Sequence, residues 1–398
     1  MPDSTSANIE PPEADRRRYP RPLSFADVRL ERIRSITRSE AWVDAIVPTL
    51  AVRLAVMAFA VLAVIVLERE ALPPDPWLQV WNHWDAPHFF EIAEFGYLPP
   101  ADPARIVLFP LYPILIAMGS LVMAPLPAGM LVSLIAGLLA AAGLHRLVRL
   151  DDSRPAARAA VLSMAIFPTA FAFIAPYSEA LFAALAIWAF VRAREGDWRM
   201  AGILGALAAF TRIQGIFLLP ALALEYWLVR RRLDRDGFWV LFIGAGLLGY
   251  LALNSLAFGD PLYFIEVQRD TFKVGNVAPW VMLDQLAHNV WTGPLGERWL
   301  TVSVAPLAAF AVLAATCVWS IASRRSRPSY AVYAIVSLVA FASLSWPISV
   351  PRYILGVFPM FIAMGMLLRR PIGPAVAALS VMLLALFVSL FAIGHWAF

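Results

Sequence analysis

Two stretches, 45–67 and 371–393, run for more than 20 residues with Arg53 as their only charge. A helix that crosses the hydrocarbon of a bilayer needs about 20 predominantly apolar residues, so each stretch is long enough to span. Within lipid every backbone N–H and C=O must find its partner inside the protein, which leaves helices or a closed barrel. Continuous apolar runs, rather than alternating ones, select helices. The chain is therefore expected to be an all-α polytopic membrane protein. Composition agrees: 61% of residues are hydrophobic and only 15% charged, where soluble domains carry roughly a quarter. No cleavable signal is expected, because roughly the first 40 residues are polar and basic and the first apolar run exceeds a signal core. Cys317 is the sole cysteine, which excludes an intrachain disulfide and a cysteine metal site.

The net charge of +4 does not point to nucleic acid, because of where the arginines fall. They cluster in the N-terminal tail (Arg16, Arg17, Arg18, Arg21, Arg29, Arg32, Arg34, Arg38) and at Arg146–Arg158, Arg192–Arg199, Arg230–Arg235, Arg324–Arg327 and Arg369–Arg370. The positive-inside rule places all six clusters in the cytoplasm. The outside segments are then 69–127, a turn at Pro176-Tyr177-Ser178, a bend at Arg212-Ile213-Gln214-Gly215, 258–299 and 346–352. Two stretches strain this arrangement. The apolar 109–123 is expected to lie on the surface or re-enter, broken by Pro110, Pro113 and Pro125. The stretch 200–229 must cross twice, as two short helices meeting near Arg212. About 11 spans result, with the N-terminus inside and the last residues outside. The expected organisation is a basic tail, 1–44, followed by a transmembrane domain, 45–398. In the tail, 25–37 reads equally as a leaflet-lying amphipathic helix or as a disordered segment. Lysine occurs once, at Lys273, beside abundant Ala and Pro; this bias suggests a GC-rich bacterial genome and hence a bacterial plasma membrane.

The stretch 81–97 (WNHWDAPHFFEIAEFGY) places aromatics, two histidines and three carboxylates beside a membrane. If it is helical, Asp85, His88 and Ile92 share one face. A carboxylate among tryptophans at a bilayer surface is partly desolvated; its pKa is expected to rise, as suits a general base. Aromatic faces beside acids also suit a sugar. The counterpart reading is an interfacial aromatic belt with solvated acids. A divalent metal on His83, Asp85, His88 and Glu91 is a further, less favoured reading, since the spacing matches no zinc signature.

His83-Trp84-Asp85-Ala86 with His88-Phe89, Ile92-Ala93 and Gly96-Tyr97 resembles the signature of the PIG-V mannosyltransferase family. The similarity continues through Phe109-Pro110-Leu111-Tyr112-Pro113, Phe167-Pro168-Thr169-Ala170-Phe171, Tyr177-Ser178-Glu179-Ala180-Leu181-Phe182, Thr211-Arg212 before Gln214-Gly215, Gly259-Asp260-Pro261 with Gln268, and Pro351-Arg352-Tyr353 before Phe358-Pro359. In order, these motifs cover about 45–370, more than isolated short motifs do by chance. The resemblance implies a GT-C bundle whose first outside loop carries surface-lying helices. It also implies an inverting transfer of a hexose, mannose in the family, from a polyprenyl- or dolichyl-phosphate donor on the non-cytoplasmic face. The acceptor is a glycolipid, glycan or protein, and no cofactor is needed.

The resemblance assigns the catalytic Asp to Asp85; the bland alternative is a capping Asp. Arg352 and Arg212 are the candidate phosphate partners, since edge arginines are rare and guanidinium matches phosphate bidentately; snorkelling is their ordinary alternative. Glu179 either orients sugar, pairs with Arg212, or complements a helix dipole. His83, Trp84, His88, Glu91, Tyr177, Gln214, Asp260 and Gln268 complete the candidate substrate-binding set. For Asp260 a turn role is the stronger reading, and for Trp81, Trp84, Phe89 and Phe90 membrane anchoring is the default. A transporter or lipid flippase is the alternative function. The absence of paired internal halves and the acid-rich outside segment speak against it.

Overall fold

The computed structural model describes residues 38–67, 74–99, 101–232 and 234–398. The tail arginines up to Arg34, the 25–37 segment and Arg69 lie outside them. Among the described residues there is no β-strand; one antiparallel bridge, Asn276 to Leu344, is the exception to an all-helical chain.

Six helices are long and apolar enough to cross a membrane, or seven if one bent pair counts as a span. They are α1 (Trp42–Leu67), α4 (Pro125–Arg149), α8 (Ile213–Arg230), α9 (Gly237–Phe258), α12 (Trp299–Ala322) and α16 (Gly373–Ala392). The bent pair is α14 (Val350–Gly356) and α15 (Pro359–Leu368), which meet at 92°. Between these lie α2 (Asp85–Phe95), α3 (Leu111–Gly119), α5 (Arg154–Ala165), α6 (Glu179–Glu195), α7 (Trp198–Thr211), α10 (Tyr263–Asp270), α11 (Pro279–Thr292) and α13 (Pro328–Ala342). The chain is thus a multi-pass membrane protein. The expected 11 spans compare with six or seven because several apolar runs are divided into shorter helices, α7 and α13 among them.

Both strained stretches of sequence break as their composition demands. The stretch from 109 forms only the nine-residue α3, entered at Pro110 and ended before the prolines at 125 and 127. The stretch 200–229 is interrupted where α7 ends at Thr211 and Arg212 takes an extended conformation (φ −157°, ψ 146°); a 3-10 turn, Ile213–Phe217, then starts α8.

α4 is the central helix: over half of its spanning window (56%) is buried in protein, against 28% for α1 and 33% for α16, which face lipid. α4 packs along α6, and Gly143 admits the approach: a Cβ there would stand 2.8 Å from Trp188 Nε1 and 3.0 Å from Ile187. Lipid tails are as apolar as leucine, so helix contact in a membrane depends on such close packing. α7 and α9 approach closer still. A Cβ on Gly202 would stand 1.9 Å from the Trp239 carbonyl oxygen, and one on Gly246 1.9 Å from that of Ala206.

Charge sits at the helix ends. Where α1, α4 and α5 meet, buried Asp44 accepts from Arg154 and Arg158. At the end of α6, buried Arg194 is held by Asp151 at 2.6 Å through both terminal nitrogens, beside buried Glu225, which Arg327 also grips at 2.7 Å. A second ionic group lies at the other end of α6, which begins at Glu179 and rises about 1.5 Å per residue over its 17 residues.

Candidate active site

Four charged side chains from distant parts of the chain meet where α2, α6, α7 and α14 begin or end. Arg352, nearly fully buried on α14, reaches Asp85 Oδ2 at 2.6 Å from one terminal nitrogen. Its Nε stands 2.9 Å from Glu179 Oε1 as an ion pair, without the angle of a hydrogen bond. Glu179 Oε1 also accepts from Arg212 at 2.8 Å. Arg212 further donates to Ser178 Oγ at 2.9 Å and to Gln214 Oε1 at 3.3 Å. The order is Asp85–Arg352–Glu179–Arg212, two acids and two bases in alternation. Asp85, with its side chain about a third exposed (31%), is the most open of the four, and Arg212 is partly covered; Glu179 is buried and its Oε2 has no hydrogen-bond partner.

Aromatic rings frame both guanidiniums. Arg352 lies over Tyr177 at 4.5 Å, and Arg212 over Tyr353 at 5.0 Å. Such cation–π contacts strengthen when desolvated. The sequence motifs hold one another in place around them. Thr169 Oγ1 donates to the Pro351 carbonyl at 2.7 Å, fixing the turn that carries Arg352. Tyr112 hydroxyl and Ser133 Oγ are 2.8 Å apart, and Ser133 Oγ donates to the Tyr177 carbonyl at 3.2 Å. Tyr177 hydroxyl donates to the His83 carbonyl at 3.3 Å.

Asp85 is the first residue of α2, as the helical reading of 81–97 expects. Trp84 before it has φ 58° and ψ −109°, a region that side-chain-bearing residues avoid and that costs about 1–3 kcal/mol. The expected rise in the Asp85 pKa is not found. Burial pushes its carboxyl up, but Arg352, with Arg212 and His88 behind it, outweighs burial and holds the group below the ordinary carboxylate value. Desolvation acts in the expected direction, but the opposing guanidinium comes from 267 residues away in the chain.

The other candidates divide. Tyr177, Glu179, Gln214, Arg212 and Arg352 join Asp85, and Ser178 and Tyr353 join with them. His88 is half-buried on α2; burial and Arg105 lower its pKa, against Asp85, Glu91 and Asp102. Glu91 holds the following loop, accepting from the Asp102 N–H and from Arg105 Nε, both at 2.8 Å; these bonds lower its pKa. Asp260 accepts from the Leu262 N–H at 2.8 Å in an exposed turn, the role its motif favoured. Among the described residues no hydrogen bond or ion pair joins Asp260 or Gln268 to the four-charge group. Trp81 and Phe89 are core residues, whereas Trp84 remains exposed. Among the described residues no three His, Cys, Asp or Glu side chains converge as metal ligands, so His83, Asp85, His88 and Glu91 do not form a preassembled set.

Residues 75–227 match the family described as Mannosyltransferase (PIG-V). This segment is PIG-V-like. It holds Asp85, Tyr177, Glu179, Arg212 and Gln214, while Arg352 lies beyond it. GPI alpha-1,6-mannosyltransferase 2 of Mus musculus is 36% identical over 151 residues, 35% of this chain and 30% of that protein. The Rattus norvegicus protein of the same name is 36% identical over 148 residues, 34% and 29% of the two chains. The match thus takes in about a third of the length of these curated relatives. Among solved structures, ArnT from Cupriavidus metallidurans bound to undecaprenyl phosphate superposes over 87% of this chain and 77% of its own, at 14% identity and a TM-score of 0.43. The Archaeoglobus fulgidus oligosaccharyltransferase tethered to an acceptor peptide covers 86% and 54%, at 18% identity and a TM-score of 0.42. Likenesses of this size bear on neither residue roles nor activity.

Beyond the PIG-V-like segment, the end of α16 enters the site, which motif reading missed. Phe391, fully buried, packs against Trp81, His83, Phe171 and Tyr177 with ring centroids 5.1–6.0 Å apart. The signal available in sequence was Gly394-His395-Trp396, a polar and aromatic triplet closing an apolar run.

Proposed function

We propose that the chain transfers a hexose, mannose by family, from a polyprenyl-phosphate donor to a lipid-linked or other extracytoplasmic acceptor. The transfer inverts the anomeric centre and takes place on the non-cytoplasmic face of a bacterial plasma membrane. The observation that carries this reading is the Asp85–Arg352 ion pair within a balanced four-charge group. A donor phosphate is a better bidentate partner for a guanidinium than a single carboxylate oxygen. When it arrives, Arg352 turns from Asp85 to phosphate. Asp85 then loses the charge that depresses its pKa and becomes a competent base, while the phosphate gains the charge that stabilises it as leaving group.

In the transfer step the acceptor hydroxyl oxygen bonds to the anomeric carbon and its proton passes to Asp85. The bond from the anomeric carbon to the phosphate oxygen breaks with its electron pair on phosphate. Glu179, buried between Arg352 and Arg212, holds both guanidiniums in place for the donor phosphate. The topology inferred from the arginine clusters supports the assignment of face, since Asp85, Arg212 and Arg352 lie on outside segments and Glu179 directly follows one.

The test is transfer of label from radiolabelled polyprenyl-phosphate mannose into a native membrane extract by purified protein, with and without EDTA. Asp85→Asn keeps the shape and is expected to lower transfer by about 10²–10⁴, the usual contribution of a general base. Equal transfer by both proteins removes Asp85 from the role. No transfer by wild type with any polyprenyl-phosphate hexose refutes the reading, and loss with EDTA requires a metal.

A further inference from the structure

The segment that follows α16 returns to the site instead of leaving it. Gly394 adopts a left-handed conformation (φ 76°), and the His395 N–H closes back onto the Leu390 carbonyl at 2.9 Å. The turn lays the Gly394 backbone on the His83 ring: a Cβ there would touch His83 Cε1 at 3.6 Å. Trp396 then meets Trp84 edge to face, centroids 4.9 Å apart and planes at 80°. Trp84 is the strained residue immediately before Asp85, and its ring stays exposed. Beside Trp396, His395 Nδ1 is bonded to Glu297 Oε2, both groups partly open to solvent. Two indoles, the His83 imidazole and the His395–Glu297 pair are thus brought together by the turn after α16, on the residue that immediately precedes Asp85.

We propose that Trp396 and Trp84, with His395 and Glu297, form a pyranose-binding subsite beside Asp85. The inference rests on the transfer reading above and adds to it the residues that recognise the sugar ring. A pyranose presents flat C–H faces and a rim of hydroxyls, so it needs apolar rings with a few fixed polar groups between them. An acyl or polyprenyl chain has no use for four ionisable groups at its site, and a bare phosphate has none for two indoles. Trp84 holds a costly backbone conformation while leaving its ring exposed immediately before Asp85, where a core role would have buried it. The ring bound here belongs to the donor or to the acceptor, and the two are separable by experiment.

The full chain is placed in lipid nanodiscs, since alkyl maltoside detergents themselves carry a sugar. Saturation-transfer NMR with methyl α-D-mannopyranoside reads sugar contact without any reaction. Wild type is expected to saturate the ring protons; Trp396→Ala is expected to weaken binding about tenfold, and Trp396→Phe to retain most of it. In the transfer assay Trp396→Ala then raises the half-saturating concentration of one component by a similar factor. A shift for membrane extract assigns the ring to the acceptor, and a shift for polyprenyl-phosphate mannose assigns it to the donor. Absence of saturation in wild type, or equal saturation in Trp396→Ala, overturns the proposal. So does a fall in turnover with neither half-saturation changed. Sugar saturation that depends on Trp396 in a protein without transfer activity supports the subsite and counts against the proposed reaction instead. Trp396→Phe keeps the test valid if Trp396→Ala melts early.

Discussion

Glu179→Gln isolates charge from shape at the centre of the site. The carboxylate serves Arg352 Nε at 2.9 Å and Arg212 at 2.8 Å, and its side chain is 3% exposed. At an effective dielectric of about 20, one unit pair roughly 4 Å apart is worth about 4 kcal/mol, so the two pairs hold about 8 kcal/mol of gross attraction. Much of it offsets the desolvation of three buried ions, and experience with buried pairs puts the cost of removing one partner at about 3–5 kcal/mol. Gln still offers one carbonyl oxygen, so the lower end, about 3 kcal/mol, is expected. The assay is reversible SDS unfolding of the purified chain, followed by tryptophan fluorescence. The partner variant Arg212→Gln restores neutrality when combined with Glu179→Gln. The double variant is therefore expected to be more stable than the sum of the two singles by about 1.5 kcal/mol or more. Loss of under about 1 kcal/mol in the single variant would show the pair to behave like an exposed one. Additivity within about 0.5 kcal/mol would refute the coupling outright.

Arg352→Lys keeps the charge but not the fork that spans Asp85 and Glu179; transfer is expected to fall by at least about tenfold, and full activity would remove the bidentate argument. Because Arg352 holds Asp85 below 3.8, kcat/KM for the free enzyme is expected to show no acid limb from Asp85 above about pH 5. A limb in that range that disappears in Arg352→Lys contradicts the pairing. Burial and Arg105 depress His88 below 6.5. The neutral ring is thus favoured on folding, and its contribution is complete above 6.5 and lost as pH falls through the depressed value. Denaturation of wild type against His88→Gln from pH 8 to 5 is expected to show the wild type losing ground only on the acid side. Gly137→Ala would place a Cβ 1.8 Å from Arg53 Nη2, on a guanidinium whose other terminal nitrogen, Nη1, donates to the Ser133 and Leu134 carbonyls; overpacking there is expected to cost about 1–3 kcal/mol or more. Gly244→Ala, with nothing within 4 Å of its Cβ, is the matched control and should change stability by no more than about 1 kcal/mol.

What the sequence made legible was whatever has a local period or a local breaker. The apolar lengths of α1 and α16, the proline-bounded α3 and the break at Arg212 all follow from residues within a turn or two of the feature. Asp85 at the start of α2 was reached through its motif. The pairing of Asp85 with Arg352 was not legible, because 267 residues separate them and no periodicity in either neighbourhood refers to the other. The same blindness produced the wrong direction for the Asp85 pKa. Glu91 shows the converse: its motif position suggested substrate, while its bonds to Arg105 and the Asp102 N–H make it a brace for the loop. Trp396 escaped notice because it follows a stretch whose hydrophobicity already explained it.

The alternation of two acids and two bases has a further consequence for how a ligand finds the site. Asp85, Glu179, Arg212 and Arg352 sum to zero, so the group projects little field beyond its own rim. A charged lipid headgroup diffusing in the bilayer feels no long-range pull towards it, unlike a ligand steered into a cleft of one sign. Attraction begins only when phosphate displaces a carboxylate at contact, well inside the roughly 10 Å over which 0.1 M salt screens charge. Under the proposed reaction, capture of a phosphate-bearing donor should therefore be nearly indifferent to ionic strength. Its rate would be set by lateral diffusion of the lipid and by the time Arg352 takes to exchange one oxyanion for another.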